Sequence, residues 1–173
     1  MKKGIIFLAV ICFFSCTSQK EKYTAQQIVD LAIEHSGVSK LSQAMISFDF
    51  RDKHYEADRT GGEFKYSRSF DSITDVLTNS GFTRFVNNQK VQLSDSIAQV
   101  YSNSVNSVHY FSILPFHLND QAVRKERLPD VSIKDQEYFK IRVTFSEDGG
   151  GEDHEDVFLY WFDKKDFNMD YLA

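Results

Sequence analysis

The chain opens with one long apolar stretch and then changes to patterns typical of helices and strands. Residues 4–14 are almost entirely apolar and follow two lysines. Apolar residues then recur at helical spacing over 24–36. This stretch begins with the capping-box pair Thr24 and Gln27 and is followed by Gly37, a residue favoured just after a helix. We therefore predict a first helix over 24–36.

Strand-like alternation replaces the helical pattern after the first helix. Apolar and polar residues alternate over 46–50, with an extension of this strand to Glu56 left open. Further predicted strands, separated by turn residues, are 64–70, 73–78, 82–86, 90–93, 122–128, 131–133, 138–145, 157–162 and 167–172.

A second helical stretch completes the pattern. Ser94 is its predicted N-cap, and Pro115 ends the helix at or before Leu114, because the residue before a proline disfavours helical conformation. The order helix, strands, helix, strands predicts an α+β domain built on an antiparallel sheet. Because the chain stops at Ala173 within a predicted strand, we expect a domain that is incomplete at its C-terminal end.

The first 22 residues predict export and attachment to a membrane. The apolar run is shorter than the roughly 20 residues that a membrane-spanning helix needs. A small residue before Cys16 makes the segment resemble the lipobox of bacterial lipoproteins, although Phe13 and Phe14 stand where Leu and a small residue are commoner. The resemblance implies a signal peptide over 1–15, a lipid on Cys16 and a tether over 16–22, with an ordinary secretory signal or a buried helix as the alternatives.

Cysteine content, charge and the residue after Cys16 bear on disulfides, on the class of partner and on the location of the protein. Both cysteines lie in the signal region, so the mature domain, 23–173, is expected to have no disulfide. The formal net charge is −5, and cleavage would remove two lysines and make the chain more acidic. An acidic domain without a basic stripe argues against nucleic-acid partners. Since Thr17 rather than Asp follows Cys16, we expect the outer membrane to be the site of anchoring.

Several stretches resemble a known but uncharacterised family of Gram-negative lipoproteins. They are AQQIVDLAIEHSG, ISFDFRDKHYEADR, SDSIAQVYSNSVNSVHYFSILPFHLND and VTFSEDGGGEDHEDVFLYWFDKKDFNMDYLA. A helix ending at Gly37 and a turn at Trp161-Phe162-Asp163 also resemble the lipoprotein-carrier superfamily. That resemblance implies an antiparallel half-barrel, wrapped around an N-terminal helix and a central helical segment, with an apolar cavity for acyl chains.

The strongly apolar segment 101–116 is the candidate ligand-binding region. In a half-barrel it would pack on the concave face, where its aromatic side chains could line a pocket. The competing interpretation, that these side chains simply form the core, is favoured by the composition alone. The candidate ligand-binding residues are Tyr101, His109, Tyr110, Phe111 and Phe116.

The acidic, glycine-rich stretch 146–156 is the most conspicuous polar cluster. Hard cations bind converging carboxylates, but the spacing fits no known calcium motif, so a solvated hairpin loop is the favoured interpretation. The weak metal candidates are Glu152, Asp153, His154 and Asp156. We expect no cofactor and, in the absence of a nucleophile elbow, a phosphate-binding loop or a spacing that nominates a catalytic triad, no enzyme.

The sequence supports three hypotheses about the function. The leading hypothesis is a lipid-anchored envelope lipoprotein that binds a hydrophobic or lipid-like ligand. The alternatives are an interaction module within an envelope complex and a hydrolase that uses the acidic loop.

Overall fold

Within residues 23–148 and 154–173, which a computed structural model describes, the chain forms two α-helices and two antiparallel sheets. Helix α1 spans Ala25–Ser36, and helix α2 spans Asp95–Phe111. The strands are β1 (Met45–Phe50), β2 (Lys53–Asp58), β3 (Lys65–Phe70), β4 (Ile73–Thr78), β5 (Gly81–Val86), β6 (Gln89–Val91), β7 (Val123–Ile133), β8 (Gln136–Phe145), β9 (Phe158–Asp163) and β10 (Met169–Leu172).

The predicted fold class, α+β with an antiparallel half-barrel, an N-terminal helix and a central helical segment, is confirmed, although the strands form two curved sheets rather than one. The six-stranded sheet is a meander in the order β1-β2-β3-β4-β5-β6, and the four-stranded sheet has the order β10-β9-β8-β7. The strands therefore form two separate hydrogen-bonded sheets, with α2 in the connection between them.

The structure settles two points of strand division. The first strand does not extend to Glu56, because the chain reverses after Phe50 through Arg51, whose φ is +54°, and returns as β2. The strands predicted over 122–128 and 131–133 form the single strand β7 (Val123–Ile133), whose pairing shifts between Leu128 and Val131. Pro129 lies in this interval and cannot donate a ladder hydrogen bond, which accounts for the irregularity.

Helix α1 begins and ends as its sequence predicts. The Thr24 hydroxyl accepts the Gln27 backbone N–H at 3.2 Å, and the Gln27 side chain accepts the Thr24 N–H at 2.9 Å. Gly37 closes the helix in the left-handed region, with φ +67°. One apolar face of the helix packs on the four-stranded sheet and forms the larger core with Leu118, Val123, Phe139, Ile141, Val143, Tyr160 and Phe162.

A buried ionic row crosses the middle of the six-stranded sheet beneath α2. The Asp75 carboxylate, fully buried, accepts hydrogen bonds from Arg68 Nη2 at 2.7 Å and from Arg84 Nε at 2.6 Å. Arg68 also donates to the Ser104 hydroxyl of α2 at 2.8 Å, and the Arg84 guanidinium lies 3.6 Å from the centre of the Tyr101 ring. The row thus joins β3, β4 and β5 to the helix.

Replacing the central carboxylate should destabilise the fold strongly. In Asp75→Asn, two buried guanidinium groups lose their shared counter-charge, which costs about 3–5 kcal/mol. We expect this loss in the free energy of unfolding, measured by urea denaturation at pH 7. The matched control is Asp71→Asn, at an exposed turn with φ +49°, where asparagine is tolerated and the change should stay within about 0.5 kcal/mol. Equal losses in both variants would contradict a structural role for the row.

Candidate ligand-binding site

Helix α2 lies across one face of the six-stranded sheet, which we call the inner face. Tyr101 contacts Phe82 of β5, and Val105 is buried between the central strands. At the other end, the His109 ring lies 5.6 Å from Tyr55 of β2. A helix of 17 residues is about 25 Å long, which matches about 24 Å for six strands. The helix therefore crosses the sheet from β5 to the β1–β2 hairpin.

His109 is the buried centre of this contact. Its ring stacks on Tyr66 at 4.5 Å, and its Nε2–H donates to the Ser67 carbonyl at 3.1 Å. That hydrogen bond places the proton on Nε2 and leaves Nδ1 buried without a partner in the described part of the chain. Burial lowers the pKa of His109 to about 4, so the imidazole is neutral in the folded protein.

Arg59 ties the same end of α2 to the sheet. Its side chain is buried, its guanidinium lies 4.8 Å from the centre of the Tyr66 ring, and Nη2 donates to the His109 carbonyl at 3.4 Å. Together with the ionic row, this contact holds α2 at both ends of the inner face.

One row of the inner face extends beyond the part that α2 covers. This apolar row is half-buried except for Phe50, which is 45% exposed. The apolar row consists of Phe50, Phe70, Ile73 and Val86, which the strand register places side by side. Lys53 of β2 lies between Phe50 and Phe70.

The flank of α2 beside this row is also apolar. Ile97 is 44% exposed, Val100 is 59% exposed and Phe111 is 42% exposed, and Val108 lies between them at helical spacing. Together these four residues form the apolar flank.

Arg68 connects the apolar row and the apolar flank. Its guanidinium lies 5.8 Å from the centre of the Phe70 ring in the row, and it donates to Ser104, which lies between Val100 and Val108 on the flank. Arg68 therefore links the row to the flank, and we call the surface formed by these two sets of residues the inner groove.

A family model matches residues 2–173 of the chain. The chain belongs to DUF6503, a family of unknown function. No curated protein matches the sequence of this DUF6503 member. Among solved structures, it is similar to a LolA superfamily protein, NE2245 from Nitrosomonas europaea, with a TM-score of 0.50 and 16% identity over 87% of this chain and 70% of that chain. The likeness supports the expected lipoprotein-carrier fold.

The five candidate residues of this DUF6503 chain contact different parts of the structure. Tyr101 and His109 face the six-stranded sheet, as described above. Tyr110 stacks on His117 at 4.5 Å, and burial raises the pKa of its hydroxyl. Phe111 contacts Phe158 of the four-stranded sheet, and Phe116 also contacts His117. A helix turns its successive side chains by about 100°, so one apolar segment faces both sheets.

Of the other predicted site residues, Cys16, Glu152 and Asp153 lie outside the described residues. Of the remaining metal candidates, His154 is half-buried and Asp156 is exposed. Among residues 23–148 and 154–173, no cluster of three or more His, Cys, Asp or Glu side chains could hold a metal, and no helix is long and apolar enough to cross a bilayer.

Sequence reasoning missed a polar cluster on the opposite, outer face of the six-stranded sheet. Ser47 and Asp49 of β1 both contact His54 of β2. The available signal was the alternation itself, because residues 47 and 49 share one face of a strand and the following hairpin brings residue 54 beside them.

Acid should destabilise the protein through His109. Since the unfolded histidine takes up a proton below about pH 6.5 and the folded one only near pH 4, the free energy of unfolding should fall as the pH drops from 6.5 towards 4, by about 3 kcal/mol at most. The pH dependence of urea denaturation should be weaker in His109→Gln than in the native chain. His35→Gln, at an exposed position of α1, should keep the native slope. An unchanged slope in His109→Gln would refute this assignment.

Proposed function

We propose that this protein is a lipid-anchored lipoprotein of the cell envelope that binds an acyl chain or a similar hydrophobic ligand in the inner groove. The observation that carries the proposal is the pair of partly exposed apolar surfaces, the apolar row and the apolar flank, that meet at Arg68. The resemblance to the lipoprotein-carrier superfamily favours the same class of ligand.

The dimensions and polarity of the groove suit a linear apolar molecule. Ile97 and Phe111 are 14 residues apart on one helix, which corresponds to about 21 Å of flank. Each methylene removed from water contributes about 0.8 kcal/mol, so a long chain could bind without any specific polar contact. Between its first-turn Asp95 and His109, α2 has no ionisable side chain other than Tyr101, so the charges beside the flank come from the sheet, from Arg68 and Lys53.

The anchor is supported by the sequence alone. Lysines, a short apolar run and a small residue before Cys16 together favour lipid attachment over simple secretion. Two or more acyl chains on this cysteine would hold the domain stably at the membrane, and the outer membrane remains our proposed location.

A protein-docking surface is the second candidate function. It is favoured by Met45, which is 75% exposed at the end of the edge strand β1, away from the inner groove. A partner bound there would leave ligand binding in the groove unaffected, so the two functions can be separated by substitution.

Binding of a fluorescent fatty acid, cis-parinaric acid, tests the groove. We expect the domain 23–173 to bind the probe and Val100→Asp to weaken binding by about tenfold or more, because the bound chain would desolvate the new carboxylate. The control is Val157→Asp, since Val157 is 56% exposed and outside the groove, compared with 59% for Val100. Equal affinity in both variants, or no binding by the native domain, would remove the proposed site.

Replacement of the lipid-bearing thiol tests the anchor. Cys16→Ser removes the sulfur to which a diacylglycerol would be attached, so we expect the precursor to accumulate with its signal segment uncut. Metabolic labelling with radioactive palmitate should mark the native chain and not the variant. Labelling of both chains, or identical processing of both, would be incompatible with a lipid on this residue.

A further inference from the structure

The outer face of the six-stranded sheet brings a serine, a histidine and an aspartate into line. Ser47 Oγ lies 3.2 Å from His54 Nε2, and His54 Nδ1 lies 2.7 Å from Asp49 Oδ1. Because the carboxylate can only accept, Nδ1 carries the proton and Nε2 is left to accept from the serine hydroxyl. Both distances are within the range of a nucleophile, a base and the group that orients the base.

The local structure of β1 adds a donor beside the serine. β1 is an edge strand of the six-stranded sheet. The Arg59 N–H donates to the Ala44 carbonyl, so it is every second residue of β1, counted from Ala44, that hydrogen-bonds to β2. With the register Ser47↔Glu56, the backbone N–H of Ser47 points away from β2, towards an edge of the sheet that none of the described strands pairs with. This N–H could donate to an oxygen held next to Ser47 Oγ.

A small depression borders the serine. It has a volume of about 190 Å³, and its lining includes Met45, Glu56, Lys65 and Ser67 as well as Ser47 itself. This is below the roughly 300–1,000 Å³ of pockets that enclose larger ligands, so the depression itself holds no more than a short acyl group. Met45 supplies an apolar wall two residues before Ser47 on the same face of the strand.

We propose that Ser47 is an acyl-accepting nucleophile, with His54 as its base and Asp49 as the positioning residue, in a site that hydrolyses small carboxylic esters. The site is on the opposite face of the sheet from the inner groove, and it is independent of ligand binding there. It is also distinct from the acidic loop.

The reaction uses only ester and water. Ser47 Oγ attacks the carbonyl carbon while its proton passes to His54 Nε2, and the Ser47 N–H stabilises the carbonyl oxygen as it becomes negative. The bond to the leaving alkoxide breaks, and the alkoxide takes the proton from His54. Water then repeats the attack on the acyl-serine with His54 as base, which releases the carboxylic acid and restores Ser47.

The hydrogen bond to Asp49 raises the pKa of His54 above its usual 6.5, and Glu56, at 3.8 Å from Nε2, acts in the same direction. The imidazole of His54 is therefore deprotonated, and able to act as a base, only at a pH above this raised pKa. Since the side chains of His54 and Asp49 are 45% and 81% exposed, water competes for their hydrogen bonds. Covalent labelling is accordingly a more sensitive test of the serine than turnover.

The experiment treats the full chain, in membranes, with a fluorophosphonate probe that reacts with activated serines, and locates the label by peptide mass spectrometry. We expect the label on Ser47, its loss in Ser47→Ala, and labelling at least about tenfold slower in His54→Gln. Ser132→Ala is the matched control, because it removes an exposed serine on β7 of the other sheet and should label at the native rate.

A pH profile tests the positioning residue separately. The labelling rate of the native chain should rise through a midpoint above pH 6.5, and Asp49→Asn should move that midpoint down because the histidine loses its carboxylate. Absence of label from Ser47, an unchanged rate in His54→Gln, or a midpoint that Asp49→Asn leaves in place would each overturn the proposal.

Discussion

The position of α2 depends on one buried carboxylate. Asp75 lies between two guanidinium groups, and removal of all three charges from water is costly unless their hydrogen bonds are complete. Nη1 of Arg68 donates to the Ser104 hydroxyl, and the Arg84 guanidinium lies over the Tyr101 ring. A shift of the helix along the sheet would break these contacts while the ions stayed buried. The ionic row therefore fixes which flank of α2 borders the apolar row.

This placement explains why one helix can serve two surfaces. The face centred on Val105 packs on the six-stranded sheet, and Tyr110, on another face of the helix, stacks on His117 in the short turn Phe116–Asn119. Among the described residues, Ile97 and Val100 of the flank are exposed to water. A surface helix normally has polar residues at such positions. This departure is the reason that we place the proposed ligand at the apolar flank.

Local signals in the sequence predicted the helices and strands, whereas the contacts between them could not be predicted from the sequence. The capping box at Thr24 and Gln27 acts within four residues, so the start of α1 could be derived without tertiary information. The ionic row joins three strands, and its pairing depends on a register that alternation alone does not give. One signal was present, since Arg68 falls on the apolar side of its strand between Tyr66 and Phe70. A charged residue at such a position implies a buried partner.

The two faces of the six-stranded sheet differ in chemistry because alternate residues of each strand belong to opposite faces. In β2, Tyr55 faces the helix while His54 faces outward beside Asp49, so neighbouring residues serve different surfaces. Substitutions on the outer face leave the packing beneath α2 intact. The proposed activity at Ser47 therefore does not depend on the proposed ligand site in the inner groove. Neither of them depends on the contribution of Asp75 to stability.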